Sequence, residues 1–146
     1  MRVKELMTPL EALVTAQPQD TLARMAGMIS HHNIGAVPIL DGAGQLLGVV
    51  SERDIVRALA LDGHDALSLT ASQLMTRALQ TCRTDHGTDR AREQMIKFGI
   101  RHLVVVNRRG ELAGMVSQRD LMRGRPSSRL RPPRAAAPED EVVAAG

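Results

Sequence analysis

The sequence predicts a mixed α/β (α+β) chain built from two β-α-β-β-α repeats, and three observations lead there. Residues 44–57, GQLLGVVSERDIVR, return as residues 110–123, GELAGMVSQRDLMR, at an offset of 66. Gly, Leu, Gly, Val, Ser, Arg, Asp and the final Arg are identical in the two copies. Upstream, Ile34 to Leu40 matches Ile100 to Val106 at the same offset, and Leu6-Met7-Thr8 returns as Leu74-Met75-Thr76 at an offset of 68. Each copy also places a helical apolar period ahead of two short apolar runs separated by a turn, the pattern of a helix followed by a hairpin.

The elements follow in order. A short extended piece covers Leu13 to Ala16, or Leu79 to Cys82 in the second copy. Asp20 reads as the N-cap of a helix over Thr21 to His32, with Leu22, Met25, Ala26 and Ile29 on one face at i, i+3, i+4 and i+7. The second copy offers Ala91, Met95 and Phe98 for its inner face. Two apolar strands come next, Ala36 to Leu40 and Gln45 to Val50, joined by Asp41-Gly42-Ala43-Gly44. Asn107-Arg108-Arg109-Gly110 is the equivalent turn, and Gly with Asp or Asn supplies the backbone conformations a hairpin needs. A second helix opens at Ser51 or Ser117 and runs through Ile55 and Val56, or Leu121 and Met122. Strands this short with two short helices are not expected to close a core alone, so the two copies are expected to share one. The expected boundaries are repeat 1 over 1–61, a connector over 62–71, repeat 2 over 72–124 and a disordered C-terminal tail over 125–146.

Composition removes several classes of function. Hydrophobic residues at 43% and charged residues at 24% are ordinary for a globular chain of 146 residues. Phe98 is the sole aromatic, so there is no platform on which single-stranded bases would stack. The net charge of +3 is carried mostly by arginine, and Arg125, Arg129, Arg131 and Arg134 lie in the tail beside Glu139, Asp140 and Glu141. No dense basic stripe remains, which argues against a nucleic-acid binder. A lone cysteine, Cys82, excludes an intramolecular disulfide and suits a reducing compartment. The N-terminus has no apolar leader, and no run approaches the ~18 apolar residues of a membrane span, so a cytoplasmic protein with no membrane partner is expected. No phosphate loop, Gly-x-Gly-x-x-Gly or His-Glu-x-x-His motif occurs. The adjacent His31 and His32 point to different sides of a helix and are expected to be exposed, with no metal.

The Leu-Met-Thr opening, the Ile-Gly-Ala-Val-Pro entry to a strand and the Gly-Val-Val-Ser-x-x-Asp strand-to-helix junction, with their counterparts in the same order and at near-constant spacing in the second copy, resemble the CBS domain family over residues 1–124. The resemblance implies a tandem pair, or Bateman module, packed around a pseudo-twofold axis, with ligand clefts between the repeats and a disc-shaped homodimer. It implies AMP, ADP or ATP as ligand, with NAD(H) or S-adenosylmethionine as further members of the class, and no required cofactor. It also implies regulation of an unidentified protein target rather than catalysis. The alternative is a structural dimerisation module with empty clefts.

The junction has a physical logic of its own. Ser51 ends a strand and opens a helix, where free N–H groups and the positive dipole end favour a phosphate. Asp54 follows one turn later on the same side, as Asp120 follows Ser117. The resemblance gives the ribose to Asp54 and Asp120, and the phosphate to Ser51 and Ser117. Set against this is the simpler role of Ser-x-x-Asp as a helix cap. Arg53 and Arg119 either reach phosphate or a partner subunit or stay solvated. Arg101 and His102 form a candidate cationic pair at the strand entry, where the first copy has the uncharged Gly35 and Ala36, unless His102 is a satisfied, half-buried histidine. The resemblance places adenine among Thr15, Ala16, Ile34, Ala36 and Pro38 in one cleft and Thr81, Cys82, Ile100 and His102 in the other. Core packing is the competing role of their apolar members. Val104 replaces the proline that Pro38 supplies in the first copy, so the second slot should differ in shape.

Overall fold

The computed structural model describes residues 1–124; the expected tail over 125–146 lies outside the described residues. The order of elements is α1 (Val3–Leu6), β1 (Thr8–Pro9), α2 (Leu22–His32), β2 (Ala36–Leu40), β3 (Leu46–Ser51), α3 (Glu52–Asp62), α4 (Ala71–Leu74), β4 (Thr81–Arg83), α5 (Thr88–Phe98), β5 (His102–Val106), β6 (Leu112–Ser117) and α6 (Gln118–Arg123), with 3-10 turns at Leu10–Ala12 and Gly63–Ser68. The mixed α+β class is as the sequence predicts.

Two compact units emerge, and they are not cut where the sequence repeats begin. One holds residues 14–78; the other joins residues 1–13 to residues 79–124. Each opening Leu-Met-Thr segment therefore packs with the hairpin of the opposite copy.

In the unit of residues 1–13 and 79–124 the sheet order is β1-β6-β5-β4. β5 and β6 form the antiparallel hairpin, β4 runs parallel to β5, and β1 lies antiparallel along the far edge of β6 with Thr8 opposite Met115 and Pro9 opposite Gly114. The other unit keeps the same order in reduced form. β2 and β3 make the hairpin, Val49 bridges Thr76 on one side, and Ala16 bridges Ile39 in parallel on the other. The single Ala16 bridge, against a three-residue β4, has a local cause. Extending that ladder requires the amide of residue 38 on one side and of residue 18 on the other, and both are prolines. Val104 and Thr84 supply the corresponding amides in the second copy, Thr84 N–H donating to the Val106 carbonyl at 3.1 Å.

The hairpin turns repeat in detail. Asp41 accepts the N–H groups of Ala43 and Gln45, both at 2.9 Å, and Asn107 accepts those of Arg109 and Glu111 at 2.9 and 3.0 Å. Gly44 and Gly110 follow at φ 81° and 79°, a left-handed conformation that disfavours any side chain.

Each unit has an apolar cluster of its own, to which both copies of the repeat contribute. Leu22, Met25 and Ile29 of α2 pack with Val37, Ile39 and Val50 of the hairpin, Ile55 and Ala58 of α3, and Ala66, Ala71 and Met75 that follow. Val3 and Leu6 of α1 pack with Cys82, Ala91, Met95, Leu103, Val105, Val116 and Leu121. The segments at 3–8 and 66–76 supply the apolar groups that two helices and a hairpin lack.

Three smaller expectations also change. The N-cap of α2 is Thr21, whose Oγ1 accepts the Arg24 N–H at 3.2 Å. Asp20 instead accepts the Gln17 N–H at 2.7 Å and pairs with Arg24 at 3.3 Å. Phe98 is 46% exposed rather than inward, because α5 ends there at left-handed Gly99 and Ile100 takes the place against the core. His31 and His32 are half-buried rather than exposed, with ring centroids 4.8 Å apart edge to face. No described helix is long and apolar enough to cross a membrane.

Candidate functional site

Both junctions form at the point where a hairpin strand hands over to a helix. In residues 14–78, Ser51 is the last residue of β3 and lies opposite Ala36, the first of β2. The Ser51 N–H and hydroxyl both donate to Asp54 Oδ2, at 2.9 and 3.0 Å, and Asp54 N–H donates back to Ser51 Oγ at 3.3 Å. The outer oxygen, Oδ1, meets the exposed Arg57 guanidinium at 3.8 Å. The Asp54 side chain retains 11% exposure.

The second junction repeats the arrangement. Ser117 ends β6 opposite His102, the first residue of β5. Ser117 N–H donates to Asp120 Oδ2 at 2.8 Å, and Asp120 N–H donates to Ser117 Oγ at 3.1 Å. Asp120 is 2% exposed, the one charged residue buried among the described residues. In both copies the first N–H of the helix is taken by the residue before the facing strand: Glu52 N–H by the Gly35 carbonyl at 3.0 Å, and Gln118 N–H by the Arg101 carbonyl at 2.8 Å. Two reciprocal capping boxes are thus formed, each fixing the orientation of its carboxylate.

The remaining candidate residues divide by burial. Arg53, Arg101 and Arg119 are exposed; Thr15, Ile34 and Ile100 are half-buried beside the junction strands. Thr81 is exposed at the outer end of β4, and its carbonyl accepts from Gln94 Nε2 at 2.9 Å. Ala16, Pro38 and Cys82 are buried, so their side chains serve packing first. Burial pushes the Cys82 thiol up to about 11, which keeps it protonated and unreactive near neutral pH.

Of the two roles open to His102, the structure fits the half-buried histidine and not the cationic partner of Arg101. Burial pushes its imidazole down to about 4, against the opposing pull of Asp120 and with the help of the Arg119 and Arg101 charges. At neutral pH it is an uncharged hydrogen-bonding group, and Arg101 alone is the cation at the strand entry. The consequence for stability has a definite sign. The unfolded chain binds a proton at His102 near pH 6.5 and the folded chain does not until about pH 4. Its contribution is therefore fully present above pH 6.5 and falls as pH drops through that window, by up to about 1.4 kcal/mol per pH unit. Urea midpoints between pH 7 and pH 4 should fall less steeply in His102→Gln than in the natural sequence; equal slopes would show that His102 is not held neutral.

Two participants are not evident from the junction motif alone. Arg57 faces the Asp54 carboxylate from the next turn, and the only signal for it was that the repeated motif ends on the same Arg, at 57 and 123. Glu52 and Gln118 occupy the same first helical position with different charge. Among the described residues, no group of three or more His, Cys, Asp or Glu side chains is placed to hold a metal.

Comparison with known proteins fits this architecture. The family model of the CBS domain matches residues 3–61 and again 71–126. The chain belongs to the CBS domain family, as a tandem pair. It is 33% identical to the CBS-domain containing protein ATU1752 from Agrobacterium tumefaciens, whose crystal structure superposes with a TM-score of 0.77 over 84% of this chain and 91% of that one. It is 28% identical to the CBS domain pair of protein MJ0100, solved in complex with 5'-methylthioadenosine and S-adenosyl-L-methionine, with a TM-score of 0.74 over 84% of this chain and 94% of that one. CBS domain-containing protein YhcV of Bacillus subtilis is 30% identical over 119 residues, 82% of this chain and 81% of its own length. Other curated relatives are longer: the chain spans 58% and 63% of the proteins from Methanopyrus kandleri and Acidianus ambivalens that it matches.

Proposed function

We propose that this chain is a regulatory module that binds adenosine-containing nucleotides at its two strand-to-helix junctions and passes their occupancy to a protein partner. AMP, ADP and ATP are the leading ligands, with NAD(H) and S-adenosylmethionine in the same class. The observation that carries the reading is the duplicated capping box, with Asp54 and Asp120 fixed one turn beyond Ser51 and Ser117. A carboxylate already oriented by its cap loses little freedom on accepting a pair of ribose hydroxyls, and each charge-assisted bond contributes roughly 1.5–3 kcal/mol. In residues 14–78 the accepting atom would be Asp54 Oδ1, since Oδ2 is held by Ser51. The adenosine compounds bound by the MJ0100 pair support the same ligand class.

We read the module as a cytoplasmic homodimer without catalytic residues of its own. Ligand can shift its target only by binding two arrangements of the protein unequally.

One observation favours a second reading, a structural interaction module with unused sites: both aspartates already have a full structural task as helix caps. Calorimetric titration with AMP, ADP, ATP, NADH and S-adenosylmethionine, one at a time, separates the two. Saturable binding of one or two molecules per chain, weakened in Asp54→Asn, is expected. Absence of heat from every compound, with protein shown to be folded and free of co-purified nucleotide, would favour the structural module.

A further inference from the structure

The two junctions share a backbone but not a charge. His102 stands opposite Ser117 where Ala36 stands opposite Ser51, and Arg101 lends its carbonyl where Gly35 does. Directly after the serine, Glu52 carries a carboxylate where Gln118 carries none. Arg101 is exposed and forms no ion pair with a carboxylate among the described residues. The wider surroundings lean the same way. Residues 1–13 and 79–124 hold eleven Lys and Arg against seven Asp and Glu, whereas residues 14–78 hold four against six.

We infer that the Ser117–Asp120 junction takes a phosphorylated adenosine, and that the Ser51–Asp54 junction takes an adenosine derivative carrying no phosphate charge. The inference rests on the nucleotide reading above and assigns a ligand class to each site. Ribose recognition by an aspartate is common to both, so selection falls to whatever sits near the 5' substituent. At the second junction Arg101 adds to Arg119, the counterpart of Arg53, with an uncharged imidazole beside them to donate or accept one hydrogen bond. At the first, the exposed Glu52 carboxylate offsets the adjacent Arg53, and Arg57 is engaged by Asp54 at 3.8 Å, so a phosphate meets less net positive charge there while a thioether is unaffected.

The test is titration of the full chain with AMP and with 5'-methylthioadenosine, in Asp54→Asn and in Asp120→Asn, each shown to be folded by thermal melting. The Asp54→Asn protein, which keeps the second junction, should bind AMP at least about tenfold more tightly than the Asp120→Asn protein, with the order reversed for 5'-methylthioadenosine. Arg101→Ala should lower the ratio of AMP to 5'-methylthioadenosine affinity roughly tenfold, and Glu52→Gln should raise it. These two exposed substitutions carry the test in the unaltered chain if either asparagine fails to silence its junction. Tighter AMP binding at the Ser51–Asp54 junction, or a ratio unmoved by Arg101→Ala and Glu52→Gln, overturns the assignment while leaving the nucleotide reading intact. No binding of either compound by folded protein overturns the nucleotide reading, and the assignment falls with it.

Discussion

Gly114→Val will unfold the half of the chain made of residues 1–13 and 79–124 at urea concentrations the natural protein withstands, with a loss of about 3 kcal/mol or more. Gly114 sits in β6 directly under β1. A Cβ built there would lie 2.3 Å from the Thr8 carbonyl oxygen and 3.2 Å from Pro9 Cα and Met7 Sδ. The nearest of these is backbone, which cannot swing aside, so β1 must leave β6 and draw Val3 and Leu6 out of the core. The equivalent Gly48→Val should cost less. There the intruding Cβ meets the Thr76 carbonyl at 2.8 Å and two atoms of the flexible Met75 side chain at 2.9 Å, so part of the clash is relieved by a rotamer change. Gly42, with nothing within 4 Å, serves as a control that should tolerate alanine within about 0.5 kcal/mol. Denaturation curves for the three variants check the ranking. A Gly114→Val protein as stable as the control would mean that β1 does not seat on β6.

Those glycines also show what was legible in the sequence. Gly48 and Gly114 are identical across the repeat, as are the Leu-Met-Thr segments, yet nothing in the linear pattern says that one must lie over the other. Their pairing is crossed, since Thr8 covers the second copy's glycine and Thr76 the first copy's. A strand as short as Thr8–Pro9 has no period to read, and its partner is chosen by tertiary packing alone. The helices, hairpins and turns were legible because each carries its own local chemistry, such as Asp41 and Asn107 holding their turns. The Ser-x-x-Asp junctions were legible for the same reason, since a capping box is written within four residues. Thr21 displaced Asp20 as a cap because two adjacent residues with capping side chains are equivalent in sequence and only the turn at Gln17 distinguishes them. The charge of His102 was legible only as one of two open alternatives. It depends on burial, which the residue type does not report.

Asp120 is where cap and ligand contact can be separated by experiment. Asp120→Ala removes the acceptor for the Ser117 N–H at a buried position, which should cost about 1–3 kcal/mol of stability. The cost should fall hard on α6, whose six described residues are too few to be helical without capping and packing. The same substitution should weaken nucleotide binding at that junction by roughly 100-fold or more, the loss of two charge-assisted bonds. Asp120→Asn keeps an oxygen for Ser117 N–H but discards the charge. It should recover most of the stability while still binding nucleotide about 10- to 100-fold more weakly than the natural sequence. Thermal melting and calorimetry on the same three proteins read the two quantities independently. If the asparagine restores affinity together with stability, nucleotide binding depends on the cap geometry and not on the carboxylate charge. If it restores stability alone, the second charge-dependent task of Asp120 is recognition, placed where the cap has already fixed its geometry.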